Sequence, residues 1–184
     1  MPQHARVAKQ SLQHAVRQLS SEGKEATASH LASELARFET RQPFVGRTVV
    51  ERLAVPLDDV ARGLGVHLVL TIFLAFEHAF GGRLRVVSEA DWERAELLWT
   101  TDEGLRKADP TACLESDDVV ATFQPELTGY ARGLLEDTIA QQDEAVDLDD
   151  LDGVYRLALL EVIALSYAVA PPEAGEADGE TTVC

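Results

Sequence analysis

Apolar residues recur along most of this chain at the three- and four-residue spacing of amphipathic helices. Between residues 3 and 20, Ala8, Leu12, Ala15, Val16 and Leu19 form one stripe, and Gly23 follows as a stop. A second helix opens near Thr27 with Ala28, Leu31, Ala32, Leu35 and Phe38 on one face, and "TRQP" ends it. A third follows Pro43 and turns Val45, Val49 and Leu53 inward. After Pro56, "LDDVARGLGVHLVLTIFLAFEHAF" is apolar nearly all round. It begins with two acids, which suit the positive end of a helix dipole. Gly63 and Gly65 are points where it could kink or split.

The segment "GGRLRVV", residues 81 to 87, is the one strand-like stretch, and with nothing to pair with it reads as a connection. Ser88 and Asp91 then make a variant capping box before a helix that carries Trp92, Ala95 and Trp99 on one face. Residues 107 to 124 read as a loop with at most one helical turn. Pro125 opens a helix running to about Gln142, with Leu127, Ala131, Leu134, Leu135 and Ile139 inward. The last helix rises from "DLDDLDG" through "VYRLALLEVIALSYAVA". The pattern predicts an all-α, single-domain bundle of six or seven helices over residues 1–170. Two apolar helices lie at its centre, and residues 171–184 form an acidic tail too poor in large apolar side chains to fold. No repeat with a period of 20 to 50 residues is apparent.

Charge changes the picture most. Residues 1 to 87 hold 11 Lys+Arg against 8 Asp+Glu, net +3, whereas residues 88 to 184 hold 5 against 24, net −19. A field of that sign repels phosphate backbones and attracts basic partners, or it serves as a solvated surface that keeps the protein soluble. Cys113 and Cys184 cannot build a disulfide framework, and the N-terminus lacks a signal-like apolar run, so a cytoplasmic setting is expected.

The run "LGVHLVLTIFLAFEHAF" raises two chemical possibilities. The fourteen residues between Arg62 and Glu77 rise about 21 Å as a helix, short of the roughly 30 Å of a bilayer core, so no membrane span is expected. His67 and His78, eleven residues apart, share a helix face but stand about 16 Å apart along it, too far for one ion. No Glu-x-x-His, His-Glu-x-x-His or paired Cys-x-x-Cys occurs, and "DLDDLDG" fails as a calcium loop at both essential ends, so no metal is expected. Phosphate-cradling glycine loops and the Gly-x-Ser-x-Gly elbow are missing too, and no cofactor is implied.

"TASHLASELA" and "GRTVVERLA", residues 27 to 36 and 46 to 54, resemble the helix-turn-helix of bacterial repressors. The resemblance implies DNA contacts from Arg41, Arg47 and Arg52. Nine residues separate the two pieces, where that motif has three or four. Glu77 and Glu161 lie in or at the end of apolar helices and are candidates for buried charge, a basis for an enzymatic reading; the structural alternative pairs Glu161 with an arginine such as Arg132 or Arg156. The leading expectation is a non-enzymatic interaction module: an adaptor, regulator or inhibitor that binds a basic protein, or a second copy of itself. Its acidic surface includes Glu93, Glu96, Asp102 and Glu103.

Overall fold

Asp58 and Asp147 start the two helices around which everything else is arranged. The Asp58 carboxylate accepts the Ala61 N–H at 2.6 Å, and that of Asp147 accepts the N–H groups of Asp149 and Asp150, so each satisfies donors that a helix start leaves open. The two starts are also tied to each other, because Asp58 N–H donates to the Asp150 carboxylate at 2.8 Å and Asp147 N–H donates to that of Asp58 at 3.2 Å. The computed structural model describes residues 1–20, 28–108, 118–141 and 147–173. Over these the chain forms α1 (Lys9–Leu19), α2 (Ala28–Arg41), α3 (Pro43–Leu53), α4 (Asp59–Phe80), α5 (Glu89–Ala108), α6 (Asp118–Phe123), α7 (Pro125–Gln141) and α8 (Leu148–Ala168). The all-α bundle is therefore as the pattern predicts, with eight helices among the described residues instead of six or seven.

Helices α4 and α8 run side by side in the same direction. Their starts share the aspartate network, and just beyond their ends Leu84 and Val169 form an isolated antiparallel bridge. Every residue from 68 to 76 and from 157 to 166 is buried, with Phe73, Phe76, Leu159 and Ile163 no more than 1% exposed. Gly63 and Gly65 do not interrupt α4. Gly65 lies where the pair crosses, and a Cβ there would meet Leu53 Cδ2 at 2.7 Å and Val154 at 3.2 Å. By length and hydropathy α4 could cross a membrane, and 67% of that apolar stretch is instead buried inside the fold.

The remaining helices wrap this pair in two quartets of one plan, α1–α4 and α5–α8, with α1 packed on α4 as α5 is on α8. Each quartet has an extended entry segment, a helix whose buried face includes Leu12 or Trp92, and a Gln-Pro step into its third helix. The two glutamines hold the quartets together crosswise. Gln42 accepts from Val87 N–H at 2.8 Å and donates to Arg85 O at 3.1 Å, while Gln124 accepts from Val7 N–H at 2.9 Å and donates to Ala5 O and to Ser166 Oγ. Both side chains are almost fully buried, so these bonds supply partners that extended backbone would otherwise lack.

The clamps account for one correction to the pattern-based reading and for how the expected connection is held. Residues 3 to 20 are not one helix: Gln3–Ala5 makes a 3-10 turn, residues 6 to 8 are extended along Gln124, and α1 begins at Lys9. The connection 81 to 87 is held by Gln42 and by backbone bonds from Arg85 N–H to Ala168 O and from Ala170 N–H to Arg83 O. Two smaller differences follow from local chemistry. Helix α2 continues through Thr40 and Arg41, and Ile139, expected inside, is 46% exposed near the end of α7. The Ser88–Asp91 box does close in both directions, with Asp91 N–H donating to Ser88 Oγ and Ser88 N–H to Asp91 Oδ2.

Replacing Gln124 with leucine should lower stability by about 1–3 kcal/mol for each buried partner left unpaired. Hydrogen exchange at Val7 should accelerate before the rest of the molecule opens, a result that global unfolding alone would not give. The glycines offer a second check by urea titration. A Cβ on Gly46 would come within 2.8 Å of the Glu39 backbone, so Gly46→Ala should destabilise by about 1–3 kcal/mol. Gly63 faces open space, and Gly63→Ala should stabilise by about 0.5–1 kcal/mol.

Candidate functional site

Of the three arginines of the helix-turn-helix resemblance, two lie beside carboxylates of the same chain. Helices α2 and α3 are separated by Gln42 alone, because most of the nine-residue stretch between the two pieces is itself helical. Arg41 approaches Glu77 at 3.7 Å, and Arg52 donates to Glu96 at 2.6 Å with its guanidinium 5.5 Å from the Trp92 ring centre. Arg47 is exposed.

The acids expected on α5 divide likewise. Glu96 is bound by both Arg52 and the Trp92 indole N–H, and Glu103 faces Arg156 at 3.5 Å. Glu93 is exposed, and the side chain of Asp102 lies outside the described residues.

Glu77 and Glu161, paired by the sequence pattern, lie in opposite environments. The Glu77 side chain is 21% exposed and is held by Arg37, with Arg41 nearby. Glu161 is 0% exposed, and neither carboxylate oxygen has a hydrogen-bond partner. Of the arginines expected beside it, Arg156 turns instead to Glu103 and stacks over Trp99 at 5.5 Å. Burial pushes the Glu161 carboxyl well above the usual carboxylate range, so the folded core favours its protonated form. It lines none of the three grooves of the surface described below, and an acid without a partner or access to solvent has nothing to transfer a proton to.

A polar cluster that the pattern did not single out lies between α4 and α7. His67 Nε2 and the Tyr130 hydroxyl are 2.8 Å apart, and the Thr71 hydroxyl donates to His67 O at 2.8 Å. Burial lowers the His67 pKa and raises that of Tyr130, so both are neutral near pH 7 and the contact is a neutral hydrogen bond. The two residues are 63 positions apart, and only the packing of α7 on α4 unites them. The other central histidine, His78, bonds Ser11 Oγ at 3.1 Å and stacks on His14. Among the described residues no group of three or more His, Cys, Asp or Glu could hold a metal ion.

Three grooves open between helices. One, of about 360 Å³, is lined by Val60, Gly63 and His67 of α4 and by Leu134, Asp137 and Gln141 of α7. Another, of about 460 Å³, lies between the ends of α3 and the start of α8. The third and largest lies between α1 and α7.

Acids collect at one pole of the bundle. The starts of α4 and α8 lie there together, and Asp137 near the end of α7 lines a groove with Val60 and Gly63 at the start of α4. The pole therefore carries Asp58, Asp59, Asp137, Asp147, Asp149, Asp150 and Asp152. Asp58, Asp147 and Asp150 are used in capping, and Asp59 pairs with Arg62 at 3.1 Å. Asp137, Asp149 and Asp152 are exposed and, among the described residues, unpaired. Comparison with protein-family models, with curated proteins and with solved structures returns no match.

The neutral Glu161 predicts a pH dependence whose sign is fixed. The unfolded chain releases this proton near the ordinary glutamate value of about 4.3, while the folded chain keeps it. The folded state therefore binds the extra proton, and stability falls as pH rises from that value toward the raised one, by up to about 1.4 kcal/mol per pH unit. Glu161→Leu should remove this slope, so the urea midpoints of variant and parent should diverge with increasing pH; parallel curves would show that Glu161 stays charged.

Proposed function

We propose that the protein is a non-enzymatic interaction module that docks a basic protein through its acidic pole. The observation that carries this reading is the gathering of Asp137, Asp149 and Asp152, exposed and unpaired among the described residues, beside four further aspartates at the joint start of α4 and α8. Such a surface repels nucleic acid phosphates and steers cationic partners, so the contribution of the acidic second half is to association rate and partner choice. The pole takes the central place in recognition, because Glu96 and Glu103 on α5 are committed to Arg52 and Arg156 of the same chain. The proposed setting is the cytoplasm, and the regulator, adaptor and inhibitor roles share this one mode of binding.

The test begins with affinity capture from native lysate and identification of the captured proteins by mass spectrometry. A basic protein is expected, whose association rate with the purified chain falls as salt rises. Reversing Asp137, Asp149 and Asp152 together to lysine should slow association about tenfold or more, while Glu93→Lys should change it far less. A captured partner indifferent to both salt and the triple reversal would leave the acidity a solubility device and remove the basis of the proposal.

A further inference from the structure

The largest groove, about 580 Å³, lies between α1 and α7 and is lined by Leu12, Val16, Pro125, Gly129 and Tyr130, with Lys9, Gln13, Arg17 and Glu126 at its edges. Its volume falls in the range of small-molecule sites, and its lining is mainly apolar with a few polar groups, the usual composition of such sites. The two-quartet plan shows what belongs in a groove of this kind. Counting from the clamped Val7 and Val87, Leu12 corresponds to Trp92; counting from the clamping Gln42 and Gln124, Glu126 and Gly129 correspond to Phe44 and Arg47.

At the corresponding positions of α5 and α3 the chain carries bulkier side chains. The Trp92 indole is 4% exposed and lies beneath the Arg52 guanidinium, and Phe44 packs against the core. On the first side Trp92 and Phe44 are replaced by Leu12 and Glu126, and a Cβ at Gly129, the counterpart of the exposed Arg47, would meet nothing within 4 Å. A buried indole beneath a cation is thus built in on one side, whereas the other side has open space beside Tyr130 and two cations, Lys9 and Arg17, at other positions of the plan.

Lys9 and Arg17 are both exposed, and among the described residues neither is paired with a carboxylate. Arg17 is steadied by its Nε donating to Gln13 O at 3.1 Å. The Tyr130 ring offers a face for stacking.

We propose that the α1–α7 groove binds a small planar aromatic acid, its ring system against Leu12, Val16, Gly129 and Tyr130 and its anionic group at Lys9 and Arg17. Glu126 at the edge disfavours a second negative charge, so the fitting ligand is a monoanion. This site lies on α1 and α7 and does not depend on the acidic pole.

The probe is 3-indolepropionate, titrated into the 15N-labelled full chain and followed by amide chemical shifts. Saturable shifts are expected at Leu12, Val16, Gly129 and Tyr130. The neutral 3-indolepropionamide should bind about tenfold more weakly, and so should Arg17→Gln, each having lost one charge-assisted contact. Gly129→Phe should fill the groove and abolish binding with thermal stability retained. The surface double variant Lys9→Glu/Arg17→Glu, which touches no fully buried side chain, provides the same test if the filled variant does not fold. No saturable shift at millimolar probe, shifts elsewhere on the molecule, binding that survives these variants, or equal affinity for acid and amide would each overturn the proposal.

Discussion

Two helices with almost no polar surface must be hidden from water, and the rest of the structure follows from that requirement. Over residues 68 to 76 and 157 to 166 there is no exposed position at all, so α4 and α8 cannot rest on a core; they are the core. Side by side and pointing the same way, their N-terminal dipoles lie together, a costly arrangement unless negative charge gathers there. The shared network of Asp58, Asp147 and Asp150 meets that need, and it pins the register of the pair at one end while the Leu84–Val169 bridge pins it at the other. The acidity of this pole therefore has a structural origin, and Asp137, Asp149 and Asp152 extend it outward into a surface.

The covering helices come as two quartets, each closing on the other. A glutamine at the start of α3 holds backbone that enters the second quartet, and a glutamine at the start of α7 holds backbone that enters the first. Because each clamp spans the halves, neither quartet can bury its entry segment alone. The same plan carries different side chains on its two sides. Trp92, beneath the Arg52 guanidinium, and Phe44 stand where the other side has Leu12 and Glu126, and the groove between α1 and α7 beside those two is open.

Within this framework Glu161 stands apart. It occupies a position where every neighbour along α8 is apolar and buried, and it keeps its proton because no partner replaces the lost water. It is a source of pH-dependent instability at the centre of the molecule, and the grooves that reach solvent lie elsewhere.

What the sequence determined by itself was the local and the periodic. The three- and four-residue apolar spacing defined most of the helices and the two apolar ones among them, Pro43 and Pro125 marked helix starts, and the capping box of Ser88 and Asp91 was readable because it acts within one turn. The acidic second half was legible as composition. Only the tertiary structure decided where those acids gather, since that depends on α4 and α8 lying parallel. It also decided that residues 6 to 8 are extended, because Gln124 reaches them from 117 positions away. The His67–Tyr130 contact, the unpaired state of Glu161 and the open groove beside Gly129 have the same character. Each depends on what stands opposite a side chain across a helix interface, and helical periodicity says which way a residue faces without saying what it meets.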